Sequence, residues 1–199
     1  MSKIVVQAFI TLDGVVQGGG GPDEDREGGF EHGGWMMDYD AQMDKLDEGG
    51  KIVTEWESRT EALLLGRRSY EWLAARWPSR SGELADRLNA LPKYVVSSTL
   101  NEPKWNNSTV IKGGVVNEVS RLKQELNGNI VVPGSFQLLR TLIEHGLVDE
   151  LRLKIYPVVL GAGQRLFGET SDKKPMRLIN VRTLDDGIAF LTYQPVRDV

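Results

Sequence analysis

Residues Ile130 to Phe167, IVVPGSFQLLRTLIEHGLVDELRLKIYPVVLGAGQRLF, have the pattern of a strand, a tight turn, a helix and a second strand. The branched apolar run Ile130–Val132 is typical of a strand buried on both faces. A Pro-Gly pair ends this strand, and Ser135 is a candidate N-cap for the helix that follows. Gly146 suits the left-handed position after that helix, and Leu151–Val159 is predicted to be the second strand. The apolar side of the predicted helix carries Phe136, Leu138, Leu139, Leu142 and Ile143.

The turn within this stretch is a candidate ligand site. Gly134 lies between a buried strand and a helix N-terminus, where a glycine lets backbone approach a ligand closely. The first N–H groups and the dipole of the helix favour an anion there. A plain strand–helix turn, common in any α/β protein, is the alternative interpretation.

Composition narrows the class of protein. The chain has 199 residues, of which 40% are hydrophobic and 26% charged, and these values predict a single globular domain, 1–199. The net charge of −4 gives no support for nucleic-acid binding. Because there is no cysteine, neither disulfides nor cysteine-ligated metals are expected, and no metal site is predicted. We expect a cytoplasmic protein, since no signal peptide and no apolar stretch of about 20 residues is present.

The order of the predicted elements indicates an α/β fold. Lys3–Ile10 is predicted to be the first strand, and strands then alternate with helices through two-thirds of the chain. Met176–Leu184 and Ile188–Tyr193 follow as two strands joined by Asp186-Gly187, a typical hairpin turn. The pattern predicts a three-layer α/β/α fold with a mostly parallel mixed sheet and antiparallel C-terminal edge strands.

A glycine-rich segment interrupts this order. Residues 14–34 hold nine of the 22 glycines together with an acidic run, so we expect a long loop that buries little apolar surface. A lid over a site, with residues 17–33 mobile until a ligand binds, and a disordered insertion are both open. After this loop, a helix capped by Asp38 or Asp40 is expected to stop at Gly49-Gly50, with further helical turns over Ile52–Arg59.

Ligands of open α/β sheets bind where strands end, and four predicted turns at such ends are polar. Paired arginines bind phosphate in a bidentate way, and serine hydroxyls can bond a ribose or phosphate. Together these turns suit a phosphorylated dinucleotide, whereas each alone could be merely solvated. The turns are Asp13-Gly14, Gly66-Arg67-Arg68-Ser69, Ser97-Ser98 and Gly134-Ser135.

The run GSFQLLRTLIEHGLVDELRL, followed by PVVLGAG and LF, resembles the C-terminal reductase domain of the bifunctional deaminase-reductases of riboflavin biosynthesis. That domain belongs to the dihydrofolate-reductase-like superfamily. The resemblance continues weakly through Thr11–Gly14, Leu65–Tyr70 and Val96–Ser98. It implies an NADPH-dependent reductase and, as a pathway reaction, reduction of 5-amino-6-(5-phosphoribosylamino)uracil by hydride transfer to C1′ of the opened ribose. It also implies a homodimer.

The same resemblance implies roles for the turns. In the family pattern, the glycine-arginine turn receives the cofactor phosphates, the serine pair borders the adenosine 2′-phosphate, and the later glycine turn holds the pyrophosphate. An acidic residue often precedes that glycine in the family, whereas Pro133 stands here. The candidate cofactor-binding residues are Gly66, Arg67, Arg68, Ser69, Ser97, Ser98, Gly134, Ser135 and Phe136.

The substrate side offers fewer candidates. Asp13 is the candidate catalytic and substrate-binding residue, because a carboxylate at the end of a central strand would be partly desolvated, with a raised pKa. An ordinary Asp-Gly turn is the alternative. Trp35 could stack on a flat substrate ring or belong to the core, and His32 could donate a proton.

Two departures leave the substrate open. We expect no deaminase half, since this sequence lacks the cysteine zinc ligands of that half in the riboflavin enzymes, and the acidic loop offers only Arg26 to a substrate phosphate. Reduction of dihydrofolate, and a non-catalytic ligand-binding protein that retains the fold, are therefore alternative functions.

Overall fold

The computed structural model describes residues 1–39 and 48–197. Two short 3-10 turns, Glu27–Gly29 and Trp35–Asp38, lie between the first strand and the first helix. The strands are β1 (Lys3–Thr11), β2 (Thr60–Gly66), β3 (Lys93–Val96), β4 (Ser108–Ile111), β5 (Asn129–Pro133), β6 (Glu150–Tyr156), β7 (Met176–Thr183) and β8 (Ala189–Pro195). The helices are α1 (Glu48–Glu57), α2 (Arg67–Ala74), α3 (Glu83–Ala90), α4 (Val115–Glu125) and α5 (Phe136–Glu144).

The eight strands form one mixed sheet in the order β4-β3-β2-β5-β1-β6-β8-β7. Strand β2 pairs in parallel with β3 and β5, and β3 pairs in parallel with β4. Strand β8 pairs antiparallel with both β6 and β7. The predicted fold class is confirmed, including the C-terminal hairpin, which turns at Gly187 with a φ of 87°.

The chain divides into two compact units. The first consists of residues 1–6 and 57–150, and it carries strands β2 to β5 and helices α2 to α5. Strands β2 and β5 are apolar runs buried on both faces, as expected for parallel strands covered by helices. The members of one core cluster in this unit are Val5, Leu63, Leu65, Tyr70, Val95, Trp105 and Val131.

A buried lysine is part of this first unit. Lys93, the first residue of β3, is fully buried, and its Nζ donates to the carbonyl oxygens of Asn89 at 2.7 Å and Asn106 at 3.1 Å. The same Nζ lies 4.3 Å from the ring centroid of Trp105. Burial lowers the pKa of Lys93 to about 8.

The second unit consists of residues 7–56 and 151–199. Its core is rich in aromatic rings, and Tyr156 lies at its centre with edge-on contacts to Trp35 at 5.3 Å and Phe9 at 6.5 Å. The buried members of this core are Val15, Phe30, Trp35, Met36, Ile52, Tyr156, Ile188 and Phe190.

The glycine-rich loop is packed rather than open. Its residues Val15 and Phe30 are buried, so the expectation that this segment buries little apolar surface is wrong. Several of its glycines allow this packing, because a Cβ on Gly18 would lie 3.1 Å from the Phe30 ring. A Cβ on Gly19 would lie 2.7 Å from Met36 Sδ. The glycine content therefore reflects close packing against large side chains as well as turns.

The predicted helix stop at Gly49-Gly50 is also wrong, because both glycines lie inside α1. Glycine costs about 1 kcal/mol in a helix interior, and burial of Ile52 offsets part of that cost. The expected helix between Asp38 and Glu48 falls mostly on residues 40–47, outside the described residues. No described helix is long and apolar enough to cross a membrane.

Candidate functional site

The turns with predicted cofactor roles all belong to the first unit. Because β2, β3, β4 and β5 are parallel, their carboxyl ends meet at one edge of the sheet. Gly66 is in register with Val96, and Val96 is in register with Ile111. The residues that follow along the three strands are Arg67, Ser97 and Lys112.

Two of the turns are joined by side-chain hydrogen bonds. The N–H of Gly66 donates to Ser135 Oγ at 3.0 Å, and the N–H of Ser135 donates to Ser69 Oγ at 3.2 Å. Four of the predicted residues, Gly66, Ser69, Gly134 and Ser135, are therefore brought together at the ends of β2 and β5. The sequence indicated that both turns are polar but not that serines connect them.

Ser135 does not cap α5 with its side chain, so the predicted capping bond is wrong. Its backbone has φ 44° and ψ 47°, in the left-handed region, and this turns the hydroxyl toward Gly66. A residue other than glycine in this region costs on the order of 1–3 kcal/mol and is often found at ligand sites. The hydrogen bonds of Ser135 with Gly66 and Ser69 hold this turn in place before α5.

Three helices begin at this edge without a side-chain cap. The N-cap residues of α2, α4 and α5 are Gly66, Gly114 and Ser135, and within the described residues none makes a capping bond through its side chain. Their first N–H groups are available to an anion. The third of these turns, Lys112-Gly113-Gly114, was missed in the sequence, although a Gly-Gly pair before an apolar helix is a detectable signal.

The two predicted arginines are exposed at the start of α2. Arg67 Nη1 contacts both carboxylate oxygens of Glu71, at 3.0 and 3.1 Å, in an exposed i,i+4 ion pair. Such a pair contributes little to stability, so Arg67 can exchange Glu71 for a phosphate at small cost. Phe136 is half-buried in the first turn of α5, and the Arg140 guanidinium lies 5.8 Å from its ring centroid.

The serine pair after β3 divides into two roles. Ser97 is buried, and its Oγ accepts the N–H groups of Thr99 at 3.2 Å and Leu100 at 3.0 Å. This hydroxyl therefore closes the turn after β3. Ser98 is exposed, so of the two serines it has the more accessible hydroxyl.

Asp13 belongs to the second unit and lies just beyond β1. Its carboxylate accepts the Thr11 hydroxyl at 2.5 Å, the Gly161 N–H at 3.0 Å and the Leu160 N–H at 3.3 Å. Arg165 Nη2 lies 3.8 Å from the same carboxylate. These contacts connect the end of β1 to the LGAGQR segment.

The hydrogen bonds of Asp13 have a direct electrostatic consequence. The Thr11 hydroxyl, followed by the two backbone N–H groups, holds the pKa of Asp13 below its ordinary value, and partial desolvation does not reverse this. The expected raised pKa is therefore wrong, because hydrogen bonds to the charged form outweigh burial. The arrangement favours a positioning role, in which the carboxylate holds the LGAGQR segment at the end of β1. The catalytic role of Asp13 stays a prediction.

Trp35 also lies in the second unit, where it is 6% exposed and its Nε1 donates to the Gln17 carbonyl at 2.9 Å. This favours the core interpretation, and stacking on a substrate stays a prediction. His32 is exposed and lies on the wall of a cavity of about 340 Å³. The cavity is lined by residues 27–32, Gln17 and residues 162–164.

Comparisons with known proteins identify relatives along almost the whole chain. The family model of the RibD C-terminal domain matches residues 2–190. The uncharacterized protein YyaP of Bacillus subtilis is 30% identical over 197 residues, which cover 96% of this chain and 94% of YyaP.

Solved structures show the fold. A Shewanella sp. PV-4 protein provisionally assigned to riboflavin biosynthesis is 20% identical with a TM-score of 0.72, and the match covers 98% of this chain and 99% of that chain. Dihydrofolate reductase from Enterococcus faecalis, solved with NADP(H), is 13% identical with a TM-score of 0.60, and the match covers 97% of this chain and 96% of that chain. The resemblance stated from the sequence is confirmed.

Proposed function

The chain belongs to the RibD C-terminal domain family, and from this premise we propose that it is an NADPH-dependent reductase. Its substrate in this proposal is a pyrimidine- or pteridine-like molecule, of the 5-amino-6-(5-phosphoribosylamino)uracil type. The family and the dihydrofolate-reductase-like fold support a reductase of one of these two types. The single observation that carries the proposal is the joined pair of turns at Gly66 and Ser135.

The residues at this edge fit a phosphorylated dinucleotide. The pyrophosphate carries negative charge, and the uncapped starts of α2 and α5 present N–H groups toward the same strand ends. Gly66, Ser69, Gly134 and Ser135 would hold the phosphates, and Phe136 would border them. Arg67 and Arg68 would supply charge-assisted hydrogen bonds. When bound, NADPH supplies the hydride, and the residues named here bind and orient it.

The experiment is a titration of NADPH and NADH into wild type and Arg67→Ala, followed by cofactor oxidation with a panel of substrates. Arg67→Ala removes one charge-assisted contact and should weaken the binding of NADPH by on the order of 1.5–3 kcal/mol. Equal affinity of wild type for the two cofactors would contradict the NADPH preference. Oxidation of NADPH with dihydrofolate alone would favour the dihydrofolate reductase alternative. Binding without turnover of any substrate would favour a non-catalytic protein.

We also propose a homodimer formed through the C-terminal strands. Strand β7 ends the sheet order, and seven of its eight residues are exposed. Leu178 and Val181 pair with Tyr193 and Leu191 of β8, so these four side chains share one face, on which Leu178 is 46% and Val181 55% exposed. A second copy can cover this apolar face with the same face of its own, as two-fold interfaces do.

Sedimentation of wild type and Val181→Glu tests this interface. We expect a dimer for wild type and a monomer for the variant, because a carboxylate would have to be buried at the contact. The control is Arg177→Glu, which places a carboxylate at another exposed position of the same strand. A wild-type monomer, or a Val181→Glu dimer as tight as wild type, would contradict the proposal.

A further inference from the structure

We propose that the cavity of about 340 Å³ in the second unit binds a small organic cation, namely a protonated amine on an apolar body. Its walls are residues 27–32 of the glycine-rich loop and residues 162–164, with Gln17 between them. All of these residues belong to the second unit, and none of the turns assigned to the cofactor is among them. The inference therefore goes beyond the proposed function and does not depend on it.

The two walls of the cavity are held by one buried carboxamide. Gln17 is 2% exposed, and its Oε1 accepts the Gln164 N–H at 2.9 Å while its Nε2 donates to the Glu27 carbonyl at 3.0 Å. Gln164 Nε2 also donates to Glu27 Oε2 at 3.3 Å. The space is therefore formed without a ligand. Small-molecule pockets measure about 300–1,000 Å³, so a cavity of this volume suits a small ligand.

The lining of the cavity is acidic. Glu27 and Glu31 contribute carboxylates, and the described residues that line the cavity include no lysine or arginine. Arg26, next to Glu27 in the chain, is held by other groups, since its Nε donates to the Pro22 carbonyl at 2.9 Å and its Nη2 lies 3.6 Å from Asp23 Oδ1. Two carboxylates without a nearby countercharge attract a cation and repel a phosphate or carboxylate ligand.

Glu31 offers the cation a specific partner. Its side chain is exposed, and within residues 1–39 and 48–197 it makes no ion pair. An ammonium in the cavity can therefore donate to this carboxylate without breaking an existing ion pair. On either side of Glu31, the rings of Phe30 and His32 meet edge-on with centroids 5.8 Å apart. Aromatic rings attract cations and also pack against an apolar body, so this wall suits both parts of the ligand.

A metal ion is a less suitable occupant than an organic cation. Metal ions in proteins take several oxygen, nitrogen or sulfur ligands at fixed distances. The part of the chain that the structure describes has no group of three or more His, Cys, Asp and Glu side chains that could hold one. An ammonium needs at most three hydrogen-bond acceptors, and carboxylates, backbone carbonyls and water can supply these.

The test is an NMR titration of the cofactor-free protein at low salt and pH 7.5, with backbone amide shifts as the readout. The probes are benzylammonium, its neutral isostere benzyl alcohol, and the anion benzoate. The variants are Glu31→Gln and, as the matched control, Glu169→Gln, which removes an equal charge from an exposed position of the same unit outside the cavity. Both changes are at exposed side chains, so the melting temperatures should match wild type.

We expect benzylammonium to shift the amides of residues 28–29 and 162–164 with a Kd on the order of 1 mM. Benzyl alcohol should bind at least about threefold more weakly, and benzoate should cause no shift at these amides. Glu31→Gln should weaken benzylammonium by about threefold or more, and Glu169→Gln should leave its Kd within about 1.5-fold of wild type.

Equal binding of benzylammonium and benzyl alcohol would overturn the cation assignment. Shifts scattered over the acidic surface, or an equal effect of the two variants, would show an adventitious charge effect and overturn the site. Either failure would leave the reductase proposal standing, because no cofactor is present in this titration. Conversely, a protein that bound benzylammonium in the cavity but no nicotinamide cofactor would refute the proposed function and leave this inference intact.

Discussion

Replacement of Asp13 by Asn separates a positioning carboxylate from a catalytic acid. The Asp13 carboxylate accepts one hydroxyl and two backbone N–H groups, and its side chain is 17% exposed. An asparagine keeps one acceptor oxygen but turns an NH₂ group toward donors. With the asparagine oxygen in the place of Oδ1, the NH₂ group faces the Gly161 N–H, which is itself a donor and cannot accept a hydrogen bond.

The size of the effect follows from these contacts. One charge-assisted hydrogen bond contributes about 1.5–3 kcal/mol, and an unmet buried donor adds to the loss. The ion pair with Arg165 adds little, because that side chain is 56% exposed. We expect Asp13→Asn to lower the free energy of unfolding by about 2–3 kcal/mol. For a chain of 199 residues this is a fall in Tm of roughly 5–10 °C.

Urea unfolding of wild type and Asp13→Asn between pH 7 and pH 3 is the assay. The folded pKa of Asp13 lies below its unfolded value, so its contribution is present above the unfolded pKa and is lost as pH falls through the folded pKa. The difference between the two proteins should therefore shrink in acid. Asp23→Asn is the control, since the Asp23 side chain is 83% exposed in the same part of the chain.

A variant within about 0.5 kcal/mol of wild type at pH 7 would refute the positioning role. If turnover of an identified substrate then fell by roughly 10²-fold with NADPH binding intact, the catalytic role predicted for Asp13 from the sequence would be supported. Loss of stability with proportionate loss of activity would favour the positioning role.

Three further outcomes are expected. Gly163→Ala should destabilise the protein by about 2–5 kcal/mol in thermal melts, because the φ of Gly163 is 104° and a Cβ there would lie 2.6 Å from the Phe30 ring. Gly161→Ala should cost only about 1–2 kcal/mol, because the φ of Gly161 is 74° but a Cβ there has open space. Equal losses of stability in the two variants would contradict the packing argument. The stability of wild type relative to Lys93→Met should rise between pH 8 and pH 10.5, because in that range Lys93 binds more protons in the unfolded chain than in the folded one. Stability curves of the two proteins that run parallel over this pH range would show that Lys93 is not buried as described. Hydrogen exchange of residues 17–34 in the free protein should be slow where backbone hydrogen bonds hold the loop, as at the Gly34 N–H. Uniformly fast exchange over the segment would instead support the mobile lid.

Elements whose pattern is local could be predicted from the sequence. The branched run of β5, the apolar face of α5 and the Asp186-Gly187 hairpin each specify their structure within a few residues, and the structure has all three. The α1 boundary could not be predicted in the same way. Gly49-Gly50 is a strong local stop signal, and the burial of Ile52 that offsets it depends on residues distant in sequence.

The candidate site shows the same division. That Gly66 and Gly134 lie at the ends of strands follows from the α/β pattern, whereas the pairing of β2 with β5 was not predicted. The left-handed conformation of Ser135 and its hydrogen bond with Gly66 could not be predicted, because the two residues are 69 positions apart in the sequence. The role of the Ser97 hydroxyl was equally hidden, since a Ser-Ser pair has the same sequence signal whether it closes a turn or contacts a ligand.

The glycine-rich loop shows why composition alone misled. A glycine is favoured where backbone must be mobile, where φ is positive, and where no room exists for a Cβ, and the sequence does not distinguish these causes. Gly28 has φ 69° and open space around it, whereas Gly33 would place a Cβ 2.5 Å from the Pro22 carbonyl oxygen. The first glycine meets a conformational need and the second a packing need. A segment with both kinds is ordered at its packed glycines, so any opening for a substrate should start near Gly28 rather than involve the whole loop.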